Sequence, residues 1–293
     1  MTPHCPNLGC DFRHCKAFVV KDGRFYRQSE ARFIQRFRCT KCRRKFSHAT
    51  GTLEFGQKKR RVNCQVRHWL CAGVSMRRCA RVLNINRTTV ERKLAYLAKK
   101  AGLSQKLFLQ QQRGQVMHLQ FDDLITSEHT KMKPLTISLA VDAGRRYILG
   151  AQVERIGAFG HLAKLSRAKY GPRPNRHVKA LNRLFKQISP AVAVGAKIES
   201  DEHTFYPPVV ARWLPGREYQ RYPGGRAAIA GQGELKKGGY DPLFSINHSC
   251  AMLRACMNRL IRKTWCTTKR PERLQQHLDV FIDYYNQVYL LAK

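Results

Sequence analysis

Two sets of residues have the types and spacing of metal chemistry. The stretch MHLQFDDLIT, residues 117–126, ends an apolar alternation in two adjacent carboxylates, Asp122 and Asp123. Acidic residues are scarce, 19 against 55 Lys and Arg, for a formal net charge of +36. A further aspartate, Asp201, closes the apolar run AVAVGAKIESD. Oxygen ligands of this kind suit Mg²⁺ or Mn²⁺, and the surplus of cations suits a polyanionic substrate. The plain alternative for Asp122-Asp123 is a turn after a strand, since Asp is common in turns. The expectation is that Asp122 holds metal and Asp123 supports the turn.

The second set is sulfur. Cys5 and Cys10 in CPNLGC, and Cys39 and Cys42 in CTKC, form two close pairs divided by a hairpin-like stretch. That pattern builds tetrahedral four-thiolate Zn²⁺ sites, which are structural because no ligand position stays open. Cys15 or His14 could replace Cys10. About 50 residues with few aliphatics need such a staple in place of a large core. A turn is expected at Asp22-Gly23, with Phe33 and Phe37 of RFIQRFR flanking the metal knuckle.

A helical pattern starts near Val62, with Val66, Trp69 and Leu70 on one apolar face. In GVSMRRCARVLNINRTTVERKLAYLAKK a helix with Cys79, Val82 and Leu83 inward meets a turn at residues 83–86. A short second helix, capped by Asn86, carries Val90, Leu94 and Leu97 on one face. This is the spacing of a helix-turn-helix. Arg87, Thr88 and Thr89 in the first turn suit base edges, while Arg77, Arg78, Arg92 and Lys93 suit phosphates.

These chemistries need elements to position them. After the Gln-rich linker 108–115 the period becomes strand-like, and Asp122 falls opposite the Met117, Leu119 and Phe121 face. PLTISLAVDAGRRYILGAQV reads as two strands joined by a turn at Asp142-Ala143-Gly144. A basic helix follows over 173–188, then a strand ending at Asp201 and a short helix from Tyr206 to Trp213. The strand EYQRY and helices over 244–265 and 272–291 end the chain. The order is that of an RNase H-like fold, an α/β architecture with a mixed five-stranded sheet. In that fold the first and fourth strands are neighbours, which would bring Asp122 and Asp201 together. Three domains are expected: a zinc ribbon (1–50), a helix-turn-helix (58–107) and the RNase H-like domain (115–293).

With CPNLGC, CTKCRRKF, FDDLITSEHT, SDEHTFYP and NHSCAMLRACMNRLIRKTWCTTK, nearly the whole chain resembles bacterial DDE-type insertion-sequence transposases of the InsA/InsB-like group. The resemblance implies Mg²⁺-dependent cutting and joining of double-stranded DNA at the element's terminal inverted repeats and at target DNA. Asp122 and Asp201 match the first two acidic positions. The family's third ligand, a Glu on the late helix followed seven residues on by a basic residue, is replaced by Asn247, with Arg254 seven residues later. Asn247 could instead be a helix N-cap. Other nearby groups are His248, Glu202, Glu128 and His129. Glu234 and Asp241 lie in a loop whose Lys236 and Lys237 suit DNA contact. Arg254, Arg259, Arg262 and Lys263 form either a solvated helix face or a track for a DNA end, with Trp265 available to stack on a base.

Composition bounds the rest. A hydrophobic content of 43% supports a core, and a pI near 10.4 favours nucleic acid as partner. No run of about 18 apolar residues suggests a membrane span, and MTPHCPNLGC lacks a signal peptide's apolar centre. Eleven cysteines, an odd number, fit reduced thiols and a cytoplasmic home, and the resemblance implies a bacterial, nucleoid-associated protein. Holding two DNA ends implies a homodimer or higher oligomer. A catalytically inactive DNA-binding regulator, or a nuclease that cleaves without joining, are the alternatives.

Overall fold

The computed structural model describes residues 3–223, 241–261 and 265–290. Its contacts divide the chain into residues 1–66 and 67–293. In the first unit, β1 (Val19–Arg27), β2 (Arg32–Cys39) and β3 (Lys45–Phe46) form an antiparallel sheet in that order. The hairpin turn lies at 28–31, where Ala31 adopts a left-handed φ of 49°. Asp22-Gly23 is not that turn. It sits inside β1, where the register with β2 shifts between Lys21 and Arg24 and Gly23 has φ +71°. A glycine with positive φ marks a bulge as readily as a turn. Phe37 is buried with the cysteines, whereas Phe33 is exposed and meets Tyr26 edge-on.

The helices α1 (Asn63–Cys71), α2 (Met76–Val82) and α3 (Arg87–Gln111) follow. Ser75 Oγ accepts from Arg78 N to cap α2, and Asn86 Oδ1 accepts from Thr88 N at 2.9 Å to cap α3. Val66, Leu70, Cys79, Val90 and Leu94 are fully buried, as their periodicity predicts, but Val82 is exposed. The second helix is not short. It runs for 25 residues and takes up the first half of the stretch expected as a linker. Gln is a good helix former, and Leu109 supplies an apolar contact to the sheet's core. Helices α2 and α3 fall in the same compact unit as the large sheet.

That sheet contains β4 (Val116–Ser127), β5 (Pro134–Asp142), β6 (Ile148–Arg155), β7 (Val192–Asp201) and β8 (Glu218–Tyr222), ordered β6-β5-β4-β7-β8. The first three strands are antiparallel neighbours, while β7 runs parallel to both β4 and β8. The architecture is therefore α/β with a mixed five-stranded sheet. Helices α4 (Leu162–Tyr170) and α5 (His177–Ile188) lie between β6 and β7. The first of these has no counterpart in the sequence reading, and the second begins four residues later than expected. Helices α6 (Tyr206–Trp213), α7 (Phe244–Cys256) and α8 (Pro271–Tyr284) complete the set. The α7 segment ends earlier than its apolar pattern suggests and passes into a 3-10 turn at Asn258–Leu260.

Alternation along β4 assigns the covering layers. Phe121 packs against Phe185 of α5 and Tyr206 of α6, at ring separations of 5.0 and 4.8 Å. Its neighbour Gln120 points the other way, accepting from Ile246 N of α7 at 3.1 Å and donating to Pro242 O at 2.7 Å. Met117, expected on the Phe121 face as a core residue, is exposed near the strand's start.

Candidate functional sites

The four-cysteine group is the first site. Cys5, Cys10, Cys39 and Cys42 have sulfur atoms all within 4.8 Å of one another, with Cys5–Cys42 at 3.5 Å and Cys10–Cys39 at 4.0 Å. Tetrahedral zinc at about 2.3 Å from each sulfur separates the sulfurs by about 3.8 Å, so the group can hold a structural zinc ion. Cys15 and His14 are exposed and lie outside the group. The backbone N–H of Arg44 draws the Cys42 thiol down to about 6, with Asn7 assisting, which favours the thiolate a metal needs. Burial pushes the Cys5 thiol up to about 12. Among the described residues this is the one group of three or more Cys, His, Asp or Glu side chains arranged for a metal.

The second site is where the β4–β7 pairing ends, midway along β4 and at the carboxyl end of β7. Gln120 is level with Glu199 across this parallel pair. Two residues further along, Asp122 and Asp201 are therefore level, just past the last paired position. The carboxyl end of a parallel strand beside a neighbour from which it parts is where open α/β sheets bind ligands. Burial lifts the Asp122 carboxyl to about 7; the Asp123 backbone N–H, donating at 2.7 Å, opposes this, and the charges of Asp201 and Asp123 add to it. Asp201 is also raised, by burial first, although the His203 backbone N–H offsets part of the effect. The charge of Asp201 thus raises Asp122, and those of Asp123 and Glu202 raise Asp201; crowded carboxylates of this kind are suited to a divalent cation.

Asp123 is not a turn residue. It lies inside β4, opposite Ser138 of β5. Its carboxylate accepts from Thr136 Oγ1 at 2.8 Å, Ser138 Oγ at 2.5 Å and Tyr206 OH at 2.7 Å, and it bonds His177 Nε2. Burial alone would raise this carboxyl, but His177, Ser138 and Tyr206 outweigh it and hold it below its ordinary value. Tyr206 also reaches Asp122 Oδ1 at 3.5 Å. Burial, then the charges of Asp123 and Asp122, keep its phenol protonated. The His203 ring lies 4.8 Å from that of His177 and 5.1 Å from that of Tyr206. Asp123, His177 and Tyr206 thus buttress Asp122.

Behind them Glu199 forms a hub that sequence reasoning missed. It accepts from Gln120 at 2.8 Å and Tyr222 at 2.9 Å, and pairs with His118 at 2.6 Å and Lys197 at 2.7 Å. Burial would raise its carboxyl, yet these partners bring it down to about 2. Because Gln120 also binds α7, the hub fixes that helix to β4 beside Asp122.

On α7, Cys250 lies close to Asp122. Burial and then the Asp122 charge push its thiol up to about 12, while Arg254 acts in the opposite sense. Asn247, Cys250 and Arg254 share one stripe of the helix. Asn247 is within α7 and is not its N-cap, which is Leu243. Its amide nitrogen donates to Asp241 Oδ2 at 3.0 Å, and its side chain is exposed. Glu202 and His129 are exposed as well. Glu128 is buried, paired with Arg155 at 3.0 Å and Arg173 at 3.4 Å, and so serves the β4–β5 hairpin rather than the aspartates.

Among the expected DNA contacts, Arg87, Thr88 and Arg92 are exposed and Thr89 is half-buried. The Thr88 hydroxyl donates to Asn86 Oδ1 at 2.8 Å as part of the cap. Lys93 is 4% exposed and cannot reach a phosphate from there. It follows Arg92 by one residue, and that 100° of helical rotation turns it from solvent to core. Glu234, Lys236, Lys237, Arg262 and Lys263 lie outside the described residues. Among the described residues no helix is long and apolar enough to cross a membrane. No protein-family model matches the chain, and no curated protein matches it either.

Proposed function

We propose that this chain is a metal-dependent DNA transposase with an RNase H-like catalytic sheet, acting on the ends of an insertion element. The observation that carries this reading is the level placement of Asp122 and Asp201 on adjacent parallel strands, in a chain of net charge +36. Asp122 and Asp201 would hold Mg²⁺ or Mn²⁺. When bound, the metal would activate a water or 3′-hydroxyl and stabilise the leaving oxygen of an in-line phosphoryl transfer. Tyr206 and the Asp123–His177 pair orient Asp122, and burial of these groups excludes bulk water from its inner side. Arg254 brings positive charge to the same helix stripe, where a scissile phosphate needs it.

DNA recognition is assigned to the first turn of α3, with Arg87, Thr88, Thr89 and Arg92 toward the duplex. A dimer or larger assembly would hold two ends together at the nucleoid. The test is Mg²⁺- and Mn²⁺-dependent cleavage and joining of DNA that carries the gene's own flanking ends. Asp122→Asn and Asp201→Asn should each lower the rate by at least a hundredfold with end-binding retained. Cleavage that survives both substitutions would refute the assignment.

One observation favours a second reading, a DNA-binding regulator that has lost catalysis. Asn247 brings no charge and its amide is engaged by Asp241. Tight end-binding by the wild type without cleavage in either metal would select the regulator.

A further inference from the structure

A cavity of about 450 Å³ lies between the α2–α3 corner and the segment that leads into α8. Arg77, Arg87, Arg259, Lys269, Arg270 and Arg273 all line it. Glu91, the acidic residue in the lining, is engaged by Arg273 at 3.0 Å. Arg259 is largely buried, and burial pulls its guanidinium below its ordinary value. Among the described residues no carboxylate pairs with it. A guanidinium stays charged in proteins, and a desolvated one without an anion is costly. The lining therefore lacks an anion.

The ligand needs donors as well. His277 is 2% exposed and its Nε2 bonds Leu70 O at 3.0 Å, so Nε2 carries the proton and Nδ1 is an acceptor. That Nδ1 has no partner, and neither has the buried Asn258 Oδ1, which also lines the cavity. At the rim, Trp265 is fully exposed. An exposed indole beside guanidinium groups is the usual platform for stacking a base. An anion, hydrogen-bond donors and a flat aromatic face together describe a nucleoside phosphate.

We propose that this cavity is a second site, separate from the aspartates, that binds a nucleoside phosphate. Its phosphate sits on Arg259 and Arg270, its base on Trp265, and an amino or hydroxyl group reaches His277 Nδ1. The inference does not depend on strand transfer, because binding is read without cleavage.

The test is calorimetric titration of the full-length protein, without divalent metal, with thymidine pentanucleotide and with thymidine monophosphate. Arg259→Gln and Trp265→Ala should each weaken binding at least tenfold. Lys186→Gln, which removes the same charge from the exposed side of α5, should change it less than twofold. Should Arg259→Gln fail to fold, the exposed Arg270→Gln takes its place with the same expectation. Monophosphate binding at comparable strength identifies a free nucleotide as ligand, and pentanucleotide binding alone identifies a strand. Equal weakening by Lys186→Gln, or no weakening by the cavity variants, overturns the proposal.

Discussion

Asp122 should make the metal-free protein less stable. Its carboxyl is held near 7, against an ordinary 3.8. Below the ordinary value it is protonated in both folded and unfolded chains, and its contribution vanishes. Above the folded value it is ionised in both, and the buried charge costs the folded state the full difference. About three pKa units at about 1.4 kcal/mol each is about 4 kcal/mol. Asp122→Asn removes the charge while Oδ1 can still accept from Asp123 N. The variant should be more stable than the wild type by roughly 2 to 4 kcal/mol at about pH 8, the lower bound allowing for coupling to Asp201. The gain should shrink to zero as pH falls through about 7 toward about 4. In urea, at a slope of roughly 3 kcal/mol/M, the midpoint at the higher pH rises by about 1 M. Mg²⁺ at a hundred times its dissociation constant should then stabilise the wild type by about 2.7 kcal/mol and leave the variant unchanged. An equal midpoint at about pH 8, or a gain that does not vary with pH, refutes the picture of Asp122 as a buried charge awaiting a cation.

Removing metal with a chelator should unfold residues 1–66 and leave 67–293 folded, as should Cys39→Ser, read by limited proteolysis and by loss of a cobalt-substituted absorption spectrum. His177→Ala should cost about 3 kcal/mol near neutral pH, because Asp123 loses its main counter-group. As the Asp123 carboxyl is held below 3.8, that stabilisation is present above this value and disappears as pH falls through the folded one, so urea midpoints of wild type and variant should converge in acid. Gly150→Val should cost roughly 1 to 3 kcal/mol in thermal melts, since even a Cβ there stands 3.1 Å from Leu184 Cδ1 at the β6–α5 contact. Gly102→Ala, in mid-helix with nothing within 4 Å of the added Cβ, should stabilise by about 0.5 to 1 kcal/mol.

The four cysteines, the strand sequence around both aspartates and the Asn86 cap were legible because each is a local pattern. Cysteine spacing, period-two alternation and a capping residue before an apolar periodicity all act within a few residues. The failures share a different cause. Asp22-Gly23 resembles a hairpin turn, but a bulge uses the same positive φ, and only pairing with β2 separates them. Lys93 belongs to a basic run, and its burial depends on which way the helix turns against its neighbours. His177 lies 54 residues from Asp123, and no local rhythm links a helix's first residue to a carboxylate in another element. Glu199 hides in an apolar strand, where its four polar partners come from β4, β7 and β8.

The continuous α3 changes how recognition and chemistry would be coupled. A helix-turn-helix attached by a flexible linker could bind DNA in many orientations relative to the aspartates. Here 25 helical residues, about 37 Å of rod, connect the capped first turn to the large sheet. Near its far end Gln105 donates to Leu149 O of β6 at 2.8 Å, and Leu109 enters the core that also holds Phe121. Glu91, one turn into the helix, is tied to Arg273 of α8 at 3.0 Å. Both ends of the rod are tied to the sheet's own layers, and the first turn of α3 and Asp122 belong to one compact unit. DNA gripped at one place would then be presented to the other without a search, and its binding energy would go into positioning.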